Sequence, residues 1–158
     1  MEFDIRWAKQ DDQEWADIMN MIWNTFLHFD GQDCTKEGRQ NFYEFLTDPS
    51  LHQSFEAGKY QVLVALDEGK VVGVASLRNI NHLSLLFVDE EYQMMGIGRS
   101  LMKTLFDYLL LEIGAKSISV TATPYAVGFY KKLGFEQIAP EKDYSGIHMI
   151  AMEKVFGG

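Results

Sequence analysis

Apolar positions recur along this chain at two different periods. Trp15, Ile18, Met19, Ile22, Trp23 and Phe26 follow one another at steps of three and four, which places them on one face of a helix. Asp11, with Glu14 three residues later, resembles a capping box at its start. Phe3 to Ala8 reads as a short strand before it, and His28 to Cys34 as a loop after it. Thr35 can cap a second helix bearing Phe42, Phe45 and Leu46, and Asp48-Pro49 ends it. Residues 50–58 are ambiguous, with room for one more helical turn. Tyr60 to Leu66 and Val71 to Leu77 are β-branched apolar runs joined by Asp67-Glu68-Gly69-Lys70, a hairpin. Asn79 turns the chain into a third antiparallel strand, His82 to Val88. A helix over Gly98 to Ile113 follows, with Leu101, Leu105, Tyr108 and Leu109 on one face and Gly114 as its stop. Then come a strand over Ser117 to Thr121 and a helix over Tyr125 to Leu133 started by Pro124. Two closing strands lie near Phe135 to Ile138 and Ile147 to Lys154. The order β-α-α-β-β-β-α-β-α-β-β predicts a mixed sheet with helices packed against it, in one domain over 1–158.

The stretch from Leu83 to Leu101 stands out within this pattern. An apolar strand feeds a polar turn, and Gly96 and Gly98 then open the most strongly helical segment. The first N–H groups of a helix have no partners within it and lie at the positive end of its dipole, so this turn can hold an anion. Glycine lets a phosphate approach where a side chain would block it. Two familiar phosphate motifs do not fit. A dinucleotide fingerprint needs a third glycine where Leu101 stands, within a parallel βαβ unit, and a P-loop needs a glycine before its lysine, whereas Met102 precedes Lys103.

Composition narrows the partners. Apolar residues make up 47% and charged residues 23% of the chain, as expected of a water-soluble globular protein. The net charge of −9 disfavours nucleic acid and suits a cationic substrate better than an anionic one. No apolar run reaches the roughly 20 residues that span a bilayer, so no membrane partner is expected. Met1 to Arg6 lacks the features of a signal peptide, and the single Cys34 cannot form an internal disulfide; both favour a cytoplasmic location. The His28 to Cys34 loop has metal-ligating residue types but no ligand spacing of a known site, so no metal is expected.

Leu85-Leu86-Phe87-Val88 followed by Gln93-Met94-Met95-Gly96-Ile97-Gly98 resembles the Gln/Arg-x-x-Gly-x-Gly/Ala motif of GNAT-type N-acetyltransferases. About 30 residues on, Pro124-Tyr125-Ala126-Val127-Gly128-Phe129-Tyr130-Lys131-Lys132-Leu133-Gly134-Phe135 looks like the second signature of that family. The resemblance implies an α/β (α+β) acyl-CoA acyltransferase fold: a mixed, mostly antiparallel sheet of about seven strands with about four helices on both faces. It implies acetyl-CoA as cosubstrate, with pantetheine along the backbone of Phe87 and Val88. The pyrophosphate would lie on the amides of Met94, Met95, Gly96, Ile97, Gly98, Arg99 and Ser100, with Gln93 at the Gln/Arg position. Arg99, in the first helical turn, and then Lys131 and Lys132 are candidates for phosphate contact, and Phe129 for core or cofactor packing. The fourth and fifth strands would splay to form the reaction cleft.

Tyr130 matches the tyrosine that protonates the departing CoA thiolate. A phenol with a pKa near 10 holds its proton at neutral pH and can donate it. The acceptor is expected to be a small-molecule amine or a peptide or protein amino group. A lysine-like amine is about 4 to 5 kcal/mol from its neutral form at pH 7, so a base is useful. Many relatives carry a glutamate where this chain has Ser84. Strict strand alternation puts His82, Ser84 and Leu86 on one face, which makes His82 the substitute base, directly or through water held by Ser84. An asparagine frequent before the second-signature helix is Thr121 or Thr123 here, depending on alignment. The missing carboxylate also permits a non-catalytic acyl-CoA sensor, and the glycine turn alone a dinucleotide oxidoreductase. An exposed edge among the closing strands is compatible with a homodimer.

Overall fold

The structure is a computed structural model that describes residues 3–144 and 146–157. The first strand, β1, spans Asp4–Trp7 and leads into helix α1, Asp12–Phe29. Asp11 caps α1 by accepting from the Gln13 amide at 3.1 Å. Glu14 does not complete the expected box: it accepts from the Lys9 amide at 2.6 Å and from both arms of the Arg6 guanidinium. That pairing, chiefly the Arg6 hydrogen bonds, holds the Glu14 carboxyl below its ordinary pKa and pins β1 to α1. The helix also runs past His28, so less of the segment up to Cys34 is loop than its composition suggested, and Gly31–Asp33 forms a short 3-10 turn.

Helix α2, Lys36–Thr47, is capped by Thr35, which accepts from the Gly38 amide at 3.0 Å. Asp48-Pro49 ends α2 and at once begins α3, Pro49–Glu56. The Asp48 carboxylate caps the Ser50 amide at 2.9 Å, and proline needs no amide partner at a helix start. The ambiguous residues after Pro49 are therefore a helix. Strands β2 (Tyr60–Asp67), β3 (Lys70–Arg78) and β4 (His82–Val88) form the antiparallel meander, and α4 spans Ile97–Asp107. A π-helical turn carries α4 on to Ile113, where Gly114 takes the left-handed conformation. β5 is Ser117–Ala122; a 3-10 turn at Pro124–Ala126 precedes the short α5, Val127–Lys132. Among the described residues three strands close the chain, not two: β6 (Glu136–Gln137), β7 (Lys142–Tyr144) and β8 (Ile147–Val155).

The sheet order is β1-β2-β3-β4-β5-β8-β6, with β7 also paired to β8. Its two faces are both covered, which is why β2 and β3 read as nearly continuous apolar runs. On one face Val62, Val64 and Leu85 pack with Ile18 and Ile22 of α1 and with Leu51 and Phe55 of α3. On the other, Leu63, Ala65 and Ile118 pack with Leu101 and Leu105 of α4 and with Phe135. Gly73 sets how closely α4 approaches: a Cβ there would lie 2.8 Å from Ile97 Cγ2 and 3.1 Å from Leu101 Cδ1. This close approach fixes the start of α4 against the sheet.

The alternation assumed for β4 is broken. Leu77 pairs with Leu83 but Ser76 pairs with Leu85, which leaves Ser84 as the extra residue of a β-bulge. Leu83 then shares a core with Leu86 and Val88 against α4, whereas Leu85 and Phe87 face α1. The face that was to unite His82, Ser84 and Leu86 is therefore split, with Leu86 beside Leu83.

Candidate active site

β4 and β5 run parallel but pair only at His82 with Ser119 and Leu83 with Val120. β4 continues five residues further, to Val88, with no partner strand on that side. The gap is a cavity of about 990 Å³, at the upper end of ordinary ligand sites. The bulge bends β4 just beyond the last paired residues, so the splay has a local cause in the strand itself.

One wall is the turn between β4 and α4. Asp89 accepts from the Glu91 amide at 2.9 Å and starts a short 3-10 turn, Glu90–Tyr92. The Gln93 side chain folds back and donates to the carbonyl of Val88, bracing the turn from inside. Met94 (φ 67°) and Gly96 (φ 79°) both sit in the left-handed region. Such a reversal turns consecutive amides inward, toward where an anion can lie. Gly96 caps α4 without a side chain, so the amides of Ile97, Gly98 and Arg99 have no capping partner. A Cβ on Gly96 would meet nothing within 4 Å, but one on Gly98 would stand 3.3 Å from Phe129 Cζ. Gly98 thus brings the helix start against α5.

Most of the residues singled out in the sequence line this cavity: His82, Ser84, Phe87, Val88, Gln93, Met94, Gly96, Ile97, Gly98, Arg99, Phe129, Tyr130 and Lys132. Of the other two, Met95 is half exposed and outside the lining, and the Ser100 amide is already spent on the Gly96 carbonyl at 3.0 Å, so the cradle ends at Arg99. Arg78, Arg99 and Lys132 are the lysine and arginine side chains of the lining.

Tyr130 lies on α5 with its ring edge-on to Phe129 and Phe135, both at 5.3 Å. It is 5% exposed, and no hydrogen bond joins its hydroxyl to another described residue; that oxygen is not among the buried unpartnered polar atoms, so it opens on the cavity. Burial, and then the nearby charge of Asp30, push its pKa above the ordinary value of 10. The phenol is therefore a proton donor throughout the neutral range.

His82 stands where the two strands part. Its Nδ1 shares a 2.8 Å hydrogen bond with Ser119 Oγ, and burial, helped by Arg78, lowers its pKa, so the ring is neutral at pH 7. Ser84 is engaged elsewhere: its Oγ lies 2.9 Å from the Tyr60 hydroxyl, which is also 2.7 Å from Ser76 Oγ. This buried triad, invisible in the local sequence, makes Ser84 a structural anchor of the bulge. Thr121 and Thr123 both line the cavity, and Thr123 Oγ1 donates to the carboxylate of Asp30 at 3.0 Å.

Asp30 is the residue that sequence reading missed. It sits at the C-terminal end of α1, 93 positions from Thr123, and burial raises its pKa above the usual carboxylate value, only partly offset by the Thr123 bond. The one available cue was a carboxylate at a helix end, where a cation is the usual tenant.

Comparison with known proteins agrees with this architecture. The family model for the acetyltransferase (GNAT) domain matches residues 31–156. A Bacillus subtilis (strain 168) protein designated an acetyltransferase is 27% identical over 100 residues, which is 61% of this chain and 67% of that protein. The crystal structure of a GCN5-related N-acetyltransferase from Rhodopseudomonas palustris superposes with a TM-score of 0.83 at 20% identity, over 99% of this chain and 97% of that one. That of the PaiA N-acetyltransferase from Thermoplasma acidophilum, in complex with coenzyme A, gives 0.79 at 17% identity, over 99% and 100%. With most of its length matched by the domain model, the chain belongs to the GNAT acetyltransferase family.

Proposed function

We propose that this protein transfers the acetyl group of acetyl-CoA to a primary amine, directly and within a ternary complex. The observation that carries the reading is the uncapped start of α4 opening into the cleft between β4 and β5, with the Tyr130 hydroxyl in the same cavity. The CoA pyrophosphate lies on the amides between Met94 and Arg99, where the helix dipole and orphan donors favour an anion. Arg99 and Lys132 supply local positive charge in a protein whose net charge is −9. The pantetheine follows the unpartnered edge of β4 past Phe87 and Val88. Because Gln93 already occupies the Val88 carbonyl, Val88 guides the arm chiefly by contact.

In the reaction the amine nitrogen attacks the thioester carbonyl carbon, a C–N bond forms and the C–S bond breaks. The sulfur leaves as a thiolate. Tyr130 donates to it; a phenol held above its ordinary pKa keeps its proton until the negative charge develops. Deprotonation of the acceptor falls to a titratable group of the cleft, and His82 and Asp30 are the two with suitable chemistry.

Thermal denaturation with acetyl-CoA or NAD, joined to a free-thiol assay over a panel of amines, tests the reading. At about 100 times Kd, acetyl-CoA stabilises by about 2.7 kcal/mol, or roughly 5 to 10 °C for a chain of this size, and NAD does not. Gly98→Glu is expected to abolish that shift by filling the cradle. A shift with NAD alone would make the site a dinucleotide site; a shift with acetyl-CoA but no thiol release from any amine would make the protein a sensor.

A further inference from the structure

Among the described residues, the carboxylate of the cleft has no counter-ion. Asp30 borders the cavity at the C-terminal end of α1, where the helix dipole is also negative. Its side chain accepts from Thr123 Oγ1 at 3.0 Å, and among the described residues no lysine, arginine or histidine pairs with it. The Arg39 guanidinium of α2 is spent on the carbonyls of Gly31 and Cys34, both at 3.0 Å. The remaining titratable groups that bear on this corner are Asp33, Cys34 and Tyr130. Asp33 adds negative charge, and Cys34 and Tyr130 stay neutral because their pKa values are pushed up by burial. A half-buried anion left without a counter-ion is disfavoured unless a cation arrives to meet it.

Aromatic rings share the cavity with this carboxylate and with Thr25, Thr121 and Thr123. Phe29 and Tyr125 stack at 5.4 Å beside it, and Phe42, Phe45 and Tyr144 line the same cavity. A polyamine would need further carboxylates for its other charges, and a sugar would need polar walls. One anion among aromatic rings suits one ammonium group on an apolar body.

We propose that Asp30 receives the acceptor's ammonium group and takes its proton, and that the aromatic wall selects primary amines with an apolar or aromatic body. The proposal rests on the acetyl-transfer reading given above. The step balances as follows. One proton passes from the ammonium to the Asp30 carboxylate, and the freed nitrogen lone pair forms the C–N bond. The C–S electron pair leaves with sulfur, which takes a proton from Tyr130. Tyr130 recovers one from the nitrogen as the amide forms, and Asp30 loses its proton to solvent. A carboxylate raised toward neutrality suits the task, since its proton affinity lies closer to that of the amine.

The test compares wild type, Asp30→Asn and Thr123→Val. The readouts are calorimetric acetyl-CoA affinity and thiol release with 2-phenylethylamine and with 1,4-diaminobutane from pH 5 to 9. Asp30→Asn is expected to hold acetyl-CoA affinity within about twofold and to lower kcat/KM for 2-phenylethylamine by about 100-fold or more at pH 7. The deficit should shrink as pH rises and more free amine is present. Thr123→Val removes a bond that favours the charged carboxylate, so the acid limb of the wild-type profile should move to higher pH. Wild type should prefer 2-phenylethylamine to 1,4-diaminobutane by at least about tenfold, the lower range of hydrophobic-pocket discrimination. Intact acetyl-CoA binding with Asp30→Asn within threefold of wild type, an unmoved acid limb, or a preference for the diamine would overturn the Asp30 assignment alone. Failure of wild type to bind acetyl-CoA would instead overturn the acetyl-transfer reading beneath it.

Discussion

Tyr130→Phe separates chemistry from packing more cleanly than any other change in this protein. The substitution removes one oxygen from a side chain that is 5% exposed and keeps the ring that meets Phe129 and Phe135. Since no described residue bonds to the hydroxyl, no internal hydrogen bond is lost, and the usual 0.5–1.5 kcal/mol of roughly one such bond is not at stake. Stability should change by less than about 0.5 kcal/mol, roughly 2 °C or less in Tm. The acetyl-CoA dissociation constant should likewise stay put, because the hydroxyl matters only once sulfur becomes negative. Loss of a positioned general acid lowers the rate by about 10²- to 10⁴-fold, which is about 2.7 to 5.5 kcal/mol of barrier. The assay is single-turnover CoA release under saturating acetyl-CoA, so that slow product release does not mask the chemical step. The pH profile adds a signed check: with its pKa raised above 10, Tyr130 should cause no fall in wild-type rate as pH climbs toward 10. A variant that keeps its rate within about threefold would refute the role. So would one that loses rate only in proportion to a large loss of stability, since that would make Tyr130 a packing residue.

Three further outcomes follow from other contacts. Tyr60→Phe strips the buried Ser76 hydroxyl and the half-buried Ser84 hydroxyl of their shared partner and should cost about 1–3 kcal/mol by urea denaturation; the double variant with Ser76→Ala should recover part of it, and full additivity would mean the triad is not coupled. Asp30→Asn should raise Tm at pH 7. Burial lifts the folded pKa of Asp30 above its unfolded value, so its favourable contribution is present below the unfolded pKa near 3.9 and lost as pH rises through the folded one. The advantage of the amide should therefore fade near pH 3.5, and an equal gain at both pH values would count against an uncompensated charge. His82→Ala should lower kcat/KM less than Asp30→Asn does and leave the acid limb in place; the reverse ranking would return proton removal to His82.

What the sequence disclosed and what it hid divide along a physical line. The α1 stripe, the β2–β3 hairpin and the strand-turn-helix around Gly96 were readable because each is specified by neighbours in the chain. Helix α3 was not, because Asp48-Pro49 is equally good chemistry for ending one helix and for starting the next. The Ser84 bulge leaves no trace in composition: alternation assumes a constant register, and the slip is set by Tyr60 and Ser76 on other strands. Tyr130 was legible through its motif. Asp30 was not, since its meaning comes from Thr123 and from a cavity that forms only when α1 meets the turn after β5.

The same line separates donor from acceptor. The proposed donor wall is contiguous, from Phe87 to Arg99, and acts largely through backbone amides whose direction is set by the turn and by Gly73 holding the start of α4 on the sheet. The proposed acceptor wall draws on the end of α1, on α2, on the turn after β5 and on β7, and acts through side chains. Electrostatics then distinguish the two halves. A protein of net charge −9 repels an anionic cofactor at long range and must admit it with local donors, the orphan amides together with Arg99 and Lys132. That field instead draws a cation inward, and at the cleft Asp30 is the carboxylate with no cationic partner among the described residues. On the proposed reading each half needs opposite local chemistry against a common background, and the β4 bulge, where that strand parts from β5, is where the acetyl carbon would be reached from both sides.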